Sequence, residues 1–130
     1  MHQDPLHLTN RFRKMQVIGY GANHAALRTI QACGVTFSFI VDDNDKSQGE
    51  TLAGVPICPP STLAAVDWTT TRLIACAATP RSILSMQAKL EGLGLRYPEH
   101  WIDCSAFHFT TIGKKLTETF GITPDPLLFW

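Results

Sequence analysis

The sequence predicts a single α/β domain built on an open, mostly parallel sheet flanked by helices. Short apolar runs alternate with amphipathic helical stretches along most of the chain, the pattern of parallel strands joined by crossover helices. The first such run ends in a glycine turn, Gly19-Tyr20-Gly21, that opens directly into a helical pattern. The second ends in two adjacent acids, Asp42 and Asp43, about 20 residues further on.

Gln16-Val17-Ile18 follows the basic lead-in Arg11-Phe12-Arg13-Lys14 and suits a buried parallel strand. Gly19 allows a tight exit from it. Gly21 lacks a Cβ and lets backbone N–H groups approach a diphosphate at the N-terminus of the following helix. That helix is expected from Ala22 to Cys33. Ala22, Ala26, Leu27, Ile30 and Cys33 fall on one face, Arg28 and Gln31 on the other, and Gly34 is a natural residue to end it.

Thr36 to Val41 is rich in β-branched and aromatic residues, as a second strand should be. Asp42 closes that strand where a carboxylate can accept both hydroxyls of a ribose. The candidate ligand-binding turn is therefore Gly19, Tyr20, Gly21, Ala22, Asn23 and His24, facing Asp42 and Asp43. His24 replaces the third glycine of a G-x-G-x-x-G pattern, which implies a looser turn or a reoriented ligand. It stands where a phosphate would arrive, so it is the candidate catalytic residue, as phosphate ligand or general base. The competing reading is a hydrogen-bonded structural histidine under the turn.

Asp43 to Pro60 has the composition of an exposed excursion containing one short strand, Val55-Pro56-Ile57. Its acids do not form a calcium loop, because Gln48 stands where the loop glycine should fall. No metal is expected. Ser61 is a plausible N-cap for a short helix through Val66, and Arg72 to Ala77 reads as an internal strand. The strand ends at Ala77, Thr79 can cap the next helix, Pro80 can take its first position and Arg81 stands in its first turn. In an open α/β sheet this turn would face the glycine turn across one crevice, with Arg81 seeking an anion or simply facing solvent. The helix continues through Ile83, Leu84, Met86, Gln87 and Leu90 to Gly92 or Gly94.

His100 to Cys104 is the expected last strand, and Gly113 to Phe120 the last helix. His100 and His108, with Trp101, Phe107 and Phe109, either line a wall of the crevice or play a half-buried structural part, which is the more ordinary outcome. Asp103 near a strand end is a site candidate on position alone. The expected boundaries are an N-terminal arm over 1–14, the sheet domain over 15–112, and a C-terminal helix with an apolar tail over 113–130. The tail, Leu127-Leu128-Phe129-Trp130, needs cover from its own domain, a second copy or a missing domain.

Composition narrows the partners. At 130 residues the chain can bury a core without disulfides or metals. Its eleven basic and eleven acidic side chains cancel, and no Lys/Arg cluster is interleaved with aromatics, so no nucleic-acid partner is expected. No run approaches the roughly 18 apolar residues of a membrane span and the N-terminus lacks a signal-peptide pattern, so a soluble, cytoplasmic protein without a membrane partner is expected. Cys33, Cys58, Cys76 and Cys104 form no C-x-x-C pair and read as free thiols in a reducing compartment. His2 and His7 belong to a polar, solvated arm.

The glycine turn, Val41-Asp42-Asp43-Asn44, the following Gln48-Gly49-x-x-x-x-Gly54-Val55-Pro56-Ile57 and Ala75-Cys76-Ala77-Ala78-Thr79-Pro80-Arg81 together resemble a known group. They are similar to the Rossmann-like N-terminal domains of bacterial sugar O- and N-acyltransferases of the sialic-acid and bacillosamine type, and of related polysaccharide-biosynthesis enzymes. The resemblance covers about Met15 to Cys104. It implies a domain that holds a nucleotide-sugar or dinucleotide, with Gly19, Tyr20, Gly21, Asp42 and Asp43 on the matching positions. A histidine follows the turn at a slightly different spacing in those acyltransferases. Neither hexapeptide repeats nor a methyltransferase domain follows here, so a solitary module or one lacking its catalytic domain is expected.

The first reading is therefore a small nucleotide-binding module for NAD or a nucleotide-sugar. Two adjacent acids would repel a 2′-phosphate and so favour NAD over NADP. The rival is a small enzyme of sugar or cofactor metabolism with His24 as base and Arg81 as anion clamp. A third is a ligand-free interaction protein that forms a homodimer through its C-terminal tail.

Overall fold

A computed structural model describes residues 16–105 of the chain. The N-terminal arm, His108, Phe107, Phe109, the expected last helix and the apolar tail lie outside the described residues. The strands are β1 (Gln16–Tyr20), β2 (Ile40–Val41), β3 (Thr51–Leu52), β4 (Val55–Cys58), β5 (Thr71–Ala77) and β6 (Trp101–Ser105); the α-helices are α1 (His24–Cys33) and α2 (Pro80–Gly92). They form one six-stranded sheet in the order β3-β4-β2-β1-β5-β6. Every pairing is parallel except the edge hairpin β3–β4. The expected α/β class, a mostly parallel Rossmann-like sheet with helices on its faces, is the fold observed.

Strand order fixes where a ligand can go. After β1 the chain moves outward to β2 and β4, then returns past β1 to β5 and moves the other way to β6. The order therefore reverses between β1 and β5. Helices leaving the two central strands diverge there and open a crevice at the carboxyl edge.

The two faces of the sheet carry separate cores, as alternation along buried strands requires. Val17, Ile40, Ile74, Cys76, Ile102 and Cys104 pack on one face with Ala25 and Ala26 of α1. Ile18, Tyr20, Val41, Leu73, Ala75 and Trp101 pack on the other with Met86 and Leu90 of α2. The small Ala25 and Ala26, at 1 % and 0 % exposure, let α1 lie close on the sheet. This is the work assigned to a third glycine in the turn, so the side chain of His24 crowds nothing and stands exposed. Cys76 and Cys104 are buried thiols in register on β5 and β6, neither in a disulfide, and Cys58 is a half-buried one. The hydrogen-bonded Cys104 thiol, and then burial, push the Cys76 thiol well up, so it stays protonated.

Several boundaries differ from the sequence expectation, each for a local reason. β1 runs on through Gly19 to Tyr20, because Gly19 is extended and pairs with both Ile40 and Ile74. A Cβ there would stand 3.2 Å from Ile40 Cγ1 and 3.4 Å from the Phe37 ring, so this glycine makes room for core side chains and does not form the turn. The helix begins at His24, with Asn23 as its N-cap, and not at Ala22. It ends as expected, with Gly34 left-handed at φ 66°.

β2 is confined to Ile40–Val41, since its aromatic lead-in joins β1 only through Ser38 N–H to the Val17 carbonyl and Gly19 N–H to the Phe39 carbonyl. The excursion holds a hairpin and not a lone strand, its two-residue turn formed by Ala53 and Gly54, both at positive φ. The short helix is a 3₁₀ turn over Pro60–Ala65 preceded by Pro59, and Ser61 is not its cap. Pro60 supplies the first-turn φ and has no N–H to satisfy.

Candidate functional site

Three chain segments meet at the carboxyl edge beside the switch in strand order, and each is held by short polar contacts. After β1, Gly21 takes φ +105° and its N–H donates to the Val41 carbonyl at 2.8 Å. Built on this backbone, a Cβ at Gly21 would collide with the Cys76 carbonyl oxygen and stand 3.0 Å from both Asn23 Nδ2 and Met86 Cε. The missing side chain lets the turn lie against the end of β5. Asn23 then serves both sides of the crevice floor. Its Oδ1 accepts from Ala25 and Ala26 N–H at 2.8 and 3.3 Å, and its Nδ2 donates to the Cys76 carbonyl at 2.7 Å.

After β2, Asp42 braces the turn. Its Oδ2 accepts from Ala22 N–H and its Oδ1 from Asn44 N–H, each at 2.7 Å. Asp43 ties three elements together: Oδ1 accepts from the Tyr20 hydroxyl at 2.9 Å and Oδ2 pairs with Lys89 Nζ of α2 at 2.6 Å. Carboxylate oxygens have further lone pairs, so both acids can still accept from a ligand hydroxyl.

Burial pushes the Tyr20 phenol far above its ordinary range, with the bond to Asp43 and the charges of Asp43 and Asp42 adding to the rise. It is a neutral donor at any physiological pH. In the unfolded chain the same phenol ionises near pH 10. The stability this holds is thus fully present below about pH 10 and is lost as pH rises from there toward the raised folded value. Urea midpoints measured between pH 8 and 11 are expected to fall less steeply above pH 10 for Tyr20→Phe than for the wild type. The difference in slope is bounded by one proton, about 1.4 kcal/mol per pH unit.

After β5, Thr79 caps α2 through Oγ1, which accepts from Ser82 N–H at 3.1 Å, and Pro80 takes the first helical position as expected. The first turns of α2 form the far wall. The three segments enclose an open cleft of ≈ 340 Å³ lined by Tyr20, Gly21, Asn23, Asp42, Asp43, Arg81, Ser82, Ser85 and Met86.

Six of the residues expected at the site thus come together: Tyr20, Gly21, Asn23, Asp42, Asp43 and Arg81. The others stand just outside the lining. Gly19 lies inside β1, Ala22 reaches the site through its N–H bond to Asp42, and Ala77 is buried at the end of β5. Thr79 is the helix cap, and His24 is exposed at the first position of α1. His100 sits at the amino end of β6, its Nδ1 accepting from Arg96 N–H at 2.9 Å, far along the strand from the crevice. Asp103 is within β6 and does not line the cleft.

Ser82, Ser85, Met86 and Lys89 were not anticipated. Ser85 and Lys89 follow Arg81 at four-residue steps, and Ser85, Met86 and Lys89 follow Ser82 at steps of three, four and seven, so helical spacing could have placed them on the wall that Arg81 was expected to occupy. No helix among the described residues is long and apolar enough to cross a membrane.

No known family matches the chain, and no curated protein matches it. Among solved structures it is similar to RSP in complex with beta-NAD+ and operator DNA, at 16% identity and a TM-score of 0.48. The match covers 79% of this chain and 57% of that one, so the chain spans little more than half of its structural neighbour. The expectation that nucleic acid is not a partner has no support from these comparisons.

Proposed function

We propose that this chain is a nucleotide-binding module that holds an NAD-type ligand or a nucleotide-sugar in the cleft between β1 and β5. The observation that supports this most is the convergence of a glycine turn, two acids at the end of β2 and an arginine in the first turn of α2 on one crevice beside the switch in strand order. Its ≈ 340 Å³ lies at the small end of the range for ligand sites, about 300–1,000 Å³. The acids suit sugar hydroxyls and Arg81 suits phosphate. On this reading the domain is of the kind that accompanies sugar acyltransferases, with the chemistry residing elsewhere.

The test is a thermal-shift titration with NAD, NADP, UDP and UDP-N-acetylglucosamine, run beside Ser85→Phe. Ser85 is exposed on α2, so the aromatic ring fills the cleft without entering the core. A ligand at about 100 times its dissociation constant stabilises by roughly 2.7 kcal/mol. One ligand should raise the wild-type melting temperature by several degrees, and Ser85→Phe should abolish the rise while melting like the wild type on its own. If none of the four shifts the wild type, the reading fails.

A further inference from the structure

A nucleotide brings phosphate charge into the cleft, and two walls compete for it. The glycine turn has already committed most of its donors. Gly21 N–H is bonded to the Val41 carbonyl, Ala22 N–H to Asp42 Oδ2, and Ala25 and Ala26 N–H to Asn23 Oδ1. A phosphate seated on that turn would have to displace a carboxylate from its N–H partner and then sit beside two negative side chains. Like charges at such separations repel strongly away from bulk water.

The opposite wall is complementary. Arg81 and Ser82 line the cleft from the first turn of α2, and Ser85 from the next turn, four residues after Arg81 and three after Ser82. Arg81 makes no ion pair with a described residue. Of the two acids that line the same cleft, Asp43 is paired with Lys89 at 2.6 Å and Asp42 is bonded to the Ala22 and Asn44 N–H groups. The guanidinium thus faces the cleft without an ion-pair partner among the described residues, with the Ser82 hydroxyl one residue along, shared with Thr79 Oγ1 at 2.8 Å, and the Ser85 hydroxyl four residues along. A planar fork with adjacent hydroxyls is suited to the oxygens of a phosphate ester.

We propose that the ligand's phosphate is held by Arg81, Ser82 and Ser85 on the β5–α2 wall, not on the glycine turn, and that its sugar hydroxyls point to Asp42 and Asp43. This inference rests on the nucleotide-binding reading. It makes the ligand class a nucleoside phosphate whose phosphate and sugar span the cleft, and it gives the glycine turn a structural role.

The experiment is calorimetric titration of the full chain with AMP, adenosine, UMP and uridine, on the wild type, Arg81→Gln and Ser85→Ala. Arg81 is exposed, so its loss leaves the core intact, and an unchanged melting temperature checks this. The wild type is expected to bind at least one monophosphate about ten-fold or more tightly than its nucleoside. Arg81→Gln should shrink that ratio to about three-fold or less with nucleoside affinity unchanged, and Ser85→Ala should shrink it part of the way. A full ratio surviving in Arg81→Gln overturns the assignment of the phosphate to this wall while leaving nucleotide binding in place. Absence of binding by all four compounds to the wild type overturns the nucleotide reading itself, and the inference with it.

Discussion

Gly21→Ala is expected to lower stability by about 3 kcal/mol or more, and the melting temperature by roughly 10 °C. Two independent costs add at this position. The backbone is at φ +105°, where an L side chain carries a strain of about 1–2 kcal/mol. The new methyl must also displace the Cys76 carbonyl oxygen, which belongs to a buried strand and is not the end of a flexible side chain. Overpacking of that kind costs about 1–3 kcal/mol.

Gly54→Ala separates the two costs. Gly54 has φ +81° in the hairpin turn, but a Cβ there meets nothing within 4 Å, so only the strain remains, about 1 kcal/mol. Urea denaturation of both variants followed by circular dichroism decides the matter. Equal midpoints would mean that the turn can draw back from β5, and that contact with the Cys76 carbonyl is not what requires glycine. Ligand binding should be lost at the first position and kept at the second, since only the first moves Asn23 and the Asp42 brace.

Most of this architecture was legible because burial writes itself into local pattern. Arg72 to Ala77 is continuously apolar because both faces of β5 are covered, and the cap at Thr79 with Pro80 after it marked the start of α2 to the residue. The lead-in to β2 misled for the opposite reason. Thr36 to Phe39 has strand composition, yet the ladder forms only at Ile40–Val41, and composition carries no record of which bonds close.

The lining of the cleft was legible only in part, and the tasks of its residues were not. Tyr20, Gly21 and Asn23 of the turn, the two acids and Arg81 meet on one cleft beside the switch in strand order. The tasks of Gly19, Gly21 and Asp42 depend on partners 18 to 55 residues distant: Phe37 and Ile40 over Gly19, the Cys76 carbonyl against Gly21, the Ala22 N–H on Asp42. A G-x-G pattern followed by an acid looks the same whether the glycines admit a phosphate or a neighbouring strand. His24 shows the same limit, since the pattern singled it out as the place of a missing glycine while the packing duty had passed to Ala25 and Ala26.

The second large effect is expected at Asn23, where substitutions can tell a helix cap from a cross-strand tie. Asn and Asp are about equal as N-caps, and a carboxylate is favoured at a helix N-terminus. If capping of Ala25 and Ala26 were the whole role of Asn23, Asn23→Asp would match or exceed the wild type. The bond from Nδ2 to the Cys76 carbonyl, 2.7 Å long, requires a donor that an ionised carboxylate does not have. Asn23→Asp is therefore expected to cost about 2 kcal/mol at pH 7, because it removes a hydrogen bond and sets a negative oxygen against a carbonyl oxygen. Asn23→Ala, which loses cap and tie together, should cost about 2–3 kcal/mol. Chemical denaturation of the two variants gives the answer: an Asn23→Asp protein as stable as the wild type would reduce Asn23 to a cap, and would detach the glycine turn from β5 at the floor of the cleft.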